Sequence, residues 1–190
     1  MEAGFSDAAL EEATRALYEA IDSLNDALLQ RAAAEGQPAA CRRGCSWCCH
    51  QAVFGVSHEF VYLRNWLERN LDPKVLEGIT KRAGAKQAVT EKLSATARLQ
   101  HKAPCPLLEN GACMAYSARP MACRIYLSSD EGSCREEYRH PENTKTFPAL
   151  FSFPLQAGRM MNEGFSSCLR ELGFKNEEQP LETGLSSLML

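Results

Sequence analysis

Between residues 7 and 34, apolar side chains recur at steps of three and four: Leu10, Ala13, Leu17, Ile21, Leu24 and Leu28. That spacing predicts one long amphipathic helix. Ser6 or Asp7 caps its start, and Gly36 followed by Pro38 ends it. A second helix is expected from Ser57, turning Phe60, Leu63, Trp66 and Leu67 inward. Asp72-Pro73 pairs a capping carboxylate with a first-turn proline and opens a third helix over 73–100. Its apolar face reads Leu76, Ile79 and Ala83, then Val89, Leu93 and Ala97, with Gly84 weakening its middle. A last helix is expected over about 155–173. Met161, Phe165, Cys168 and Leu172 share one of its faces, and Gly173 ends it.

Residues 103–146 break this pattern. Pro104, Pro106, Gly111, Pro120, Gly132 and Pro141 punctuate the stretch, which predicts loops with short helical turns. So long a stretch with little regular structure needs another organiser, and a metal is a natural one. Strand signals are poor, with 52–56 the one modest candidate. No long period repeats, so a solenoid is excluded. The expected fold is mainly α: a small helical bundle with a loop-rich, metal-stapled cysteine region. One domain is expected over 1–175, with its cysteine cluster at 41–134, and 176–190 is expected to be a flexible tail.

Composition narrows the function classes. The 190 residues carry a net charge of −3 with Lys and Arg dispersed, which offers no general field for nucleic acid or an anionic membrane. No run of about 18 apolar residues predicts a transmembrane helix. The first twenty residues lack a basic segment followed by an apolar one, so a cytoplasmic, reducing location is expected. There, nine cysteines read as metal ligands or redox thiols rather than structural disulfides, and an odd count fits a closed disulfide set badly.

Eight of the nine fall in two groups of four: Cys41, Cys45, Cys48 and Cys49, then Cys105, Cys113, Cys123 and Cys134. Thiolates are soft donors that select zinc, iron or an iron–sulfur cluster over magnesium or calcium. Neighbouring side chains point in different directions, so Cys48 and Cys49 are expected to serve different metal atoms, or one to stand behind the other. The alternative for the scattered second four, taken alone, is burial as small apolar residues. Cys168, on an apolar helix face, is expected to be a buried, inert thiol. His50 follows the pair directly and is a candidate ligand or supporting donor. Arg42 and Arg43 suit either charge compensation or a solvated surface, whereas Arg119 and Arg124 suit bracing of a loop through its carbonyls. Cys41, Cys45 and Cys48 also match the three-cysteine spacing of radical enzymes, but a long helix precedes them and no strand–helix alternation follows. The same lack of βαβ context weakens a thioredoxin-like couple. No phosphate loop, nucleophile elbow or zinc-protease helix is present in the sequence.

The run CRRGCSWCCH, with the later block Cys105-Pro106, Gly111-Ala112-Cys113, Tyr116, Arg119-Pro120 and Cys123-Arg124, resembles the CxxCxxCC (YkgJ-type) cysteine-cluster family of zinc- or iron-chelating proteins. The first gap holds three residues where the family name implies two, which leaves Cys41 the least typical position. The resemblance covers 41–134 and implies a metal site built from Cys41, Cys45, Cys48, Cys49, Cys105, Cys113, Cys123 and Cys134. It implies no settled activity. Ligand counting tilts the expectation to iron, bare or as an iron–sulfur cluster, over zinc. The expected partner is a metal ion. The competing expectations are a metal-dependent enzyme of redox or methyl-transfer type, with an open metal position near Cys48-Cys49-His50, and a metal-stabilised interaction module using the N-terminal helix.

Overall fold

Helix α1 runs over Asp7–Ala34, where the periodicity places it, and the Ser6 hydroxyl accepts from the Ala9 N–H at 3.2 Å. The structure is a computed structural model, and it describes residues 6–187. The buried face of α1 is only partly the aliphatic stripe. It comprises Leu10, Thr14, Tyr18, Ile21 and Asn25, while Leu17 and Leu24 are only partly buried. Polar partners turn the helix this way. Tyr18 donates its hydroxyl to Glu59 (3.0 Å), and Asn25 donates to the Arg124 carbonyl (3.2 Å).

Helix α2 (Ser57–Asn70) buries Phe60, Leu63 and Leu67, as its spacing predicts. The expected third helix is two: α3 (Pro73–Thr90) and α4 (Ala95–Gln100). Gly84 passes through α3 without a break. The interruption falls at 91–94, because Ser94 caps α4 through the Ala97 N–H and Arg98 folds back onto the Thr90 carbonyl (2.9 Å). Helix α5 (Met121–Ile125) and helix α6 (Glu131–Arg139) are the short turns of the loop-rich stretch, and α7 spans Ser152–Glu171. Its buried face is Pro154, Gly158, Ser166 and Leu169, so the stripe read from Met161 to Leu172 lies at the edge of that face: Met161 packs on the core and Phe165 on His58, while Cys168 and Leu172 face solvent. Cys168 is consequently exposed, not buried, because it lies off the side on which Ser166 and Leu169 pack.

Two small antiparallel ribbons complete a mainly α fold. Strand β1 (Phe54–Val56) lies within the 52–56 candidate and pairs with β4 (Glu178–Pro180), Gly55 opposite Gln179. Strands β2 (Leu108–Glu109) and β3 (Ala112–Cys113) form a hairpin around Asn110 and Gly111, whose φ values of 50° and 75° are those of a tight two-residue turn. The segment expected to be a flexible tail instead holds β4 and then α8 (Leu181–Ser187), with Leu181 and Leu185 buried in the core beside Phe60 and Ile79. Its short apolar end was too brief to reveal a periodicity, but three apolar or small positions suffice to dock on α3. Residues 188–190 of that segment lie outside the described residues.

Helices α1 and α2 pack together, and α7 packs on both α1 and α5. This frame leaves the three cysteine-bearing segments, 41–49, 105–123 and α6, gathered on one side.

Candidate metal centre

Each cysteine is placed by a local device. Ala40 donates its N–H to the Ser128 carbonyl (2.8 Å), and the Ser128 N–H donates to Cys41 Sγ (3.3 Å), so Cys41 is tied to a segment 87 positions away. Cys45 closes a turn through its N–H to the Arg42 carbonyl (3.0 Å). Cys48 and Cys49 lie on a 3-10 turn, Trp47–His50. That turn is clasped from one flank by α6: the Trp47 indole donates to Glu131 (3.1 Å), and the Tyr138 ring packs at 5.3 Å from Trp47 and 5.1 Å from His50. From the other flank the chain entering Cys105 pairs with it. The Cys105 N–H donates to the Cys49 carbonyl (2.7 Å) and the Ala103 N–H to the His50 carbonyl (3.0 Å). Cys113 ends the β2–β3 hairpin, Cys123 sits in α5, and Cys134 is buried in α6.

Burial pushes the thiols of Cys41, Cys45, Cys105, Cys113, Cys123 and Cys134 up, Cys105 to about 11. A backbone N–H two residues ahead works against burial at three of them: Trp47 at Cys45, Leu107 at Cys105 and Ala115 at Cys113. Such donors favour the thiolate over the thiol. Cys48 is raised first by its hydrogen bond with the Cys49 thiol, then by burial.

The sulfurs are not grouped as the sequence blocks are. Cys134 responds to Cys41, Cys48 and Cys45, and Cys45 responds to Cys41 and Cys48. Cys123 responds to Cys105, Cys48 and Cys113. Thus Cys134 leaves its sequence block to join Cys41 and Cys45. Cys48 is a neighbour common to both sets.

Seven of the eight cysteines line one cavity of about 1180 Å³; Cys134 stands behind, with Ser128 between it and Cys41. As placed, no three His, Cys, Asp or Glu side chains among the described residues converge closely enough to hold a metal ion. The sulfurs ring the cavity rather than a point. The donor chemistry nonetheless fits a soft metal, since seven thiols line one space and backbone N–H groups are already aimed at several of them. Arg119 lies beside Cys48, Cys113 and Cys123 and lowers each thiol's tendency to stay protonated. Both family-block arginines brace the loop as expected: Arg119 donates to the Tyr116 carbonyl (2.7 Å), and Arg124 donates to the carbonyls of Arg119 (2.9 Å) and Ser117. Arg42 instead pairs with Glu131 near the surface. His50 is turned away from the cavity: its Nδ1 bonds the Ser46 carbonyl (3.0 Å) and its ring rests on Tyr138.

Sequence reading missed three contributors. Ser128, 1% exposed, connects Cys41 to Cys134. Glu59, 1% exposed, accepts from Tyr18, the Val56 N–H and the Met121 N–H, and so holds the start of the Cys123 helix. The far wall of the cavity comes from α7 and the chain beyond it, including Arg159, Asn162, Ser166 and Asn176. The Asn-Gly turn at 110–111 was a legible signal for the hairpin; the other contributors carry no local signature.

No curated protein and no solved structure matches the chain. A family model does: CxxCxxCC, described as "Putative zinc- or iron-chelating domain", matches residues 40–149, which takes in all eight clustered cysteines and more than half of the chain. With its cysteine-bearing segments brought to one cavity and this match across them, the chain belongs to the CxxCxxCC family.

Proposed function

We propose that this protein is a metal-binding protein that holds iron or zinc through the thiolates of Cys41, Cys45, Cys48, Cys49, Cys105, Cys113, Cys123 and Cys134. The observation that carries this reading is the set of backbone N–H groups directed at the sulfurs of Cys41, Cys45, Cys105 and Cys113 around one cavity. Buried thiols serving only as packing need no such donors. Hydrogen bonds to sulfur stabilise the charged form that a metal requires. The metal then fastens the loop-rich segments 41–50 and 103–134 onto the helical frame. The wide spacing of the second four favours iron over zinc.

A second reading, a metal-dependent enzyme, is favoured by one observation. The cavity extends past the sulfurs to the polar wall of α7, where Arg159 and Asn162 line it. A small molecule has room there beside a metal. His50 takes no part in that space, so an open metal position would face α7.

Anaerobic purification followed by metal and acid-labile sulfide analysis tests the main reading. Stoichiometric iron or zinc is expected. Protein that neither contains nor takes up either metal refutes it, while bound zinc without sulfide removes the iron preference alone.

A further inference from the structure

We infer that the α7 wall of the cavity is a binding site for a free, zwitterionic α-amino acid with an apolar side chain, its carboxylate met by Arg159 and its ammonium by Glu163. Such a site goes beyond the metal-holding reading and needs no metal in the cavity.

Arg159, Asn162, Glu163 and Ser166 follow Leu155 at helical spacing and line the cavity, together with Asn176 from the chain beyond α7. Much of the hydrogen-bonding capacity here is unsatisfied. Among the described residues four buried side-chain atoms lack a partner, and three of them belong to this corner: Asn162 Oδ1, Asn176 Nδ2 and His58 Nε2. The orientation of Asn176 is fixed, because the His58 backbone N–H can only donate, and it donates to Asn176 Oδ1 (3.2 Å). Asn176 Nδ2 is therefore a donor without an acceptor, on a residue only 9% exposed. His58 Nδ1 lies 3.2 Å from the same oxygen, so Nδ1 carries the ring proton and Nε2 is a bare acceptor. Ser166, 5% exposed, adds a hydroxyl that no described residue engages. Unmatched donors and unmatched acceptors thus stand side by side, where buried polar groups ordinarily find partners.

The charges at the mouth show the same duality. Elsewhere in the chain, arginine followed four residues later by glutamate forms an ion pair: Arg15 with Glu19, and Arg31 with Glu35. Arg159 and Glu163 share that spacing, yet neither pairs with the other or with any described residue. Both are exposed and both line the cavity. A guanidinium takes a carboxylate in its planar fork, and a carboxylate takes an ammonium. A ligand of one charge would leave one of these two groups, and the buried atoms of like kind, unmatched. A zwitterion matches both. Beside Leu155 the cavity wall is Met121, Ile125 and Leu181, which suits an apolar side chain.

L-Leucine is the probe, titrated calorimetrically into the full chain, both as isolated and after chelation. Two analogues are titrated alongside: isocaproate, which lacks the ammonium, and isoamylamine, which lacks the carboxylate. Saturable leucine binding is expected, with each analogue weaker by roughly tenfold to a hundredfold. Arg159→Gln should weaken leucine by a similar factor and leave isoamylamine unchanged. Glu163→Gln should weaken leucine likewise and leave isocaproate unchanged. Both side chains are exposed, so neither exchange threatens the fold. Arg135→Gln, at a position that lines no part of the cavity, should change nothing. Either analogue binding as tightly as leucine overturns the inference, as does leucine binding that survives either α7 exchange or is lost equally with Arg135→Gln. No saturable leucine binding at about 10 mM in either form also overturns it, water alone then meeting the unmatched atoms. A chain without iron or zinc that still binds leucine refutes the metal-holding reading and leaves this site standing. A metal-loaded chain that ignores leucine does the reverse.

Discussion

Arg124 shows how one residue serves the centre without lining it. Its side chain is buried, with the guanidinium 3.9 Å over the Tyr18 ring, paired with Asp22, and donating to two carbonyls of the loop before Cys123. Tyr18 in turn donates to Glu59, which holds the Met121 N–H at 2.6 Å. The loop is thus fixed from both sides by a buried guanidinium and a buried carboxyl group. Leaving the Arg119 and Ser117 carbonyls without this donor costs about 1–3 kcal/mol. Arg124→Ala should therefore lower unfolding stability by that order in a denaturant titration, and Arg124→Lys should recover only part, because an ammonium cannot span two carbonyls and a carboxylate in one plane. The thiols make a second residue-scale prediction. Burial raises Cys105 from an ordinary 9.0 to about 11, so the metal-free fold favours the protonated form. That contribution is complete below pH 9 and is lost as the pH rises through 11. The melting temperature of metal-free protein should fall over that interval, and Cys105→Ala should flatten the fall. Metal must also displace these protons, so its apparent affinity should rise with pH between about 6 and 8, and a pH-independent titration would contradict thiolate ligation.

At the scale of elements, α7 is set by a close approach rather than by its aliphatic residues. A Cβ at Gly158 would lie 2.3 Å from Ile125 Cγ2, in the helix that carries Cys123. Gly158→Ala must push α7 off α5, at a cost of about 1–3 kcal/mol by thermal unfolding, whereas Gly164→Ala, which meets nothing, should stabilise slightly. The same contact explains why the stripe Met161–Phe165–Cys168–Leu172 misleads. Periodicity locates a helix but not its buried side when a glycine provides the flat surface. Helix α8 is a parallel case. It carries Glu182, buried and hydrogen-bonded to Thr90 Oγ1 at 2.8 Å, between Leu181 and Leu185. Ending the chain after Asn176 removes these two buried side chains and strand β4, worth about 2–5 kcal/mol for each truncated leucine. A shortened chain that unfolds at the same denaturant concentration would show that α8 contributes nothing to the core.

For the molecule as a whole, the helices and the cysteine loops are stabilised by different means. Among the described residues no helix is long and apolar enough to cross a membrane. The core is formed by α1, α2, α3 and α8 with α5, through residues such as Ile21, Leu63, Ile79 and Leu185, all fully buried. Segment 41–50 contributes no residue to it and depends on hydrogen bonds and on the sulfurs, whereas 103–120 is anchored in it by Leu107, Ala115 and Ala118. Chelating the metal should therefore abolish hydrogen-exchange protection in 41–50 first, while α1, α2 and α3 stay protected. Uniform loss of protection would mean that the metal organises the entire fold.

The mainly α class, the position of α1 to the residue, the start of α2 and the identity of the eight clustered cysteines were all legible in the linear chain. Helix periodicity and turn chemistry act over three or four residues, and cysteine spacing is covalent. The structure alone decided which thiol neighbours which, which face of α1 and α7 is buried, and where the chain's end docks. Cys134 joins Cys41 because a serine between α5 and α6 meets a segment 87 positions earlier. The sequence cannot express such a pairing, because it depends on how the helices stack and on where buried polar side chains such as Glu59 and Arg124 find their partners.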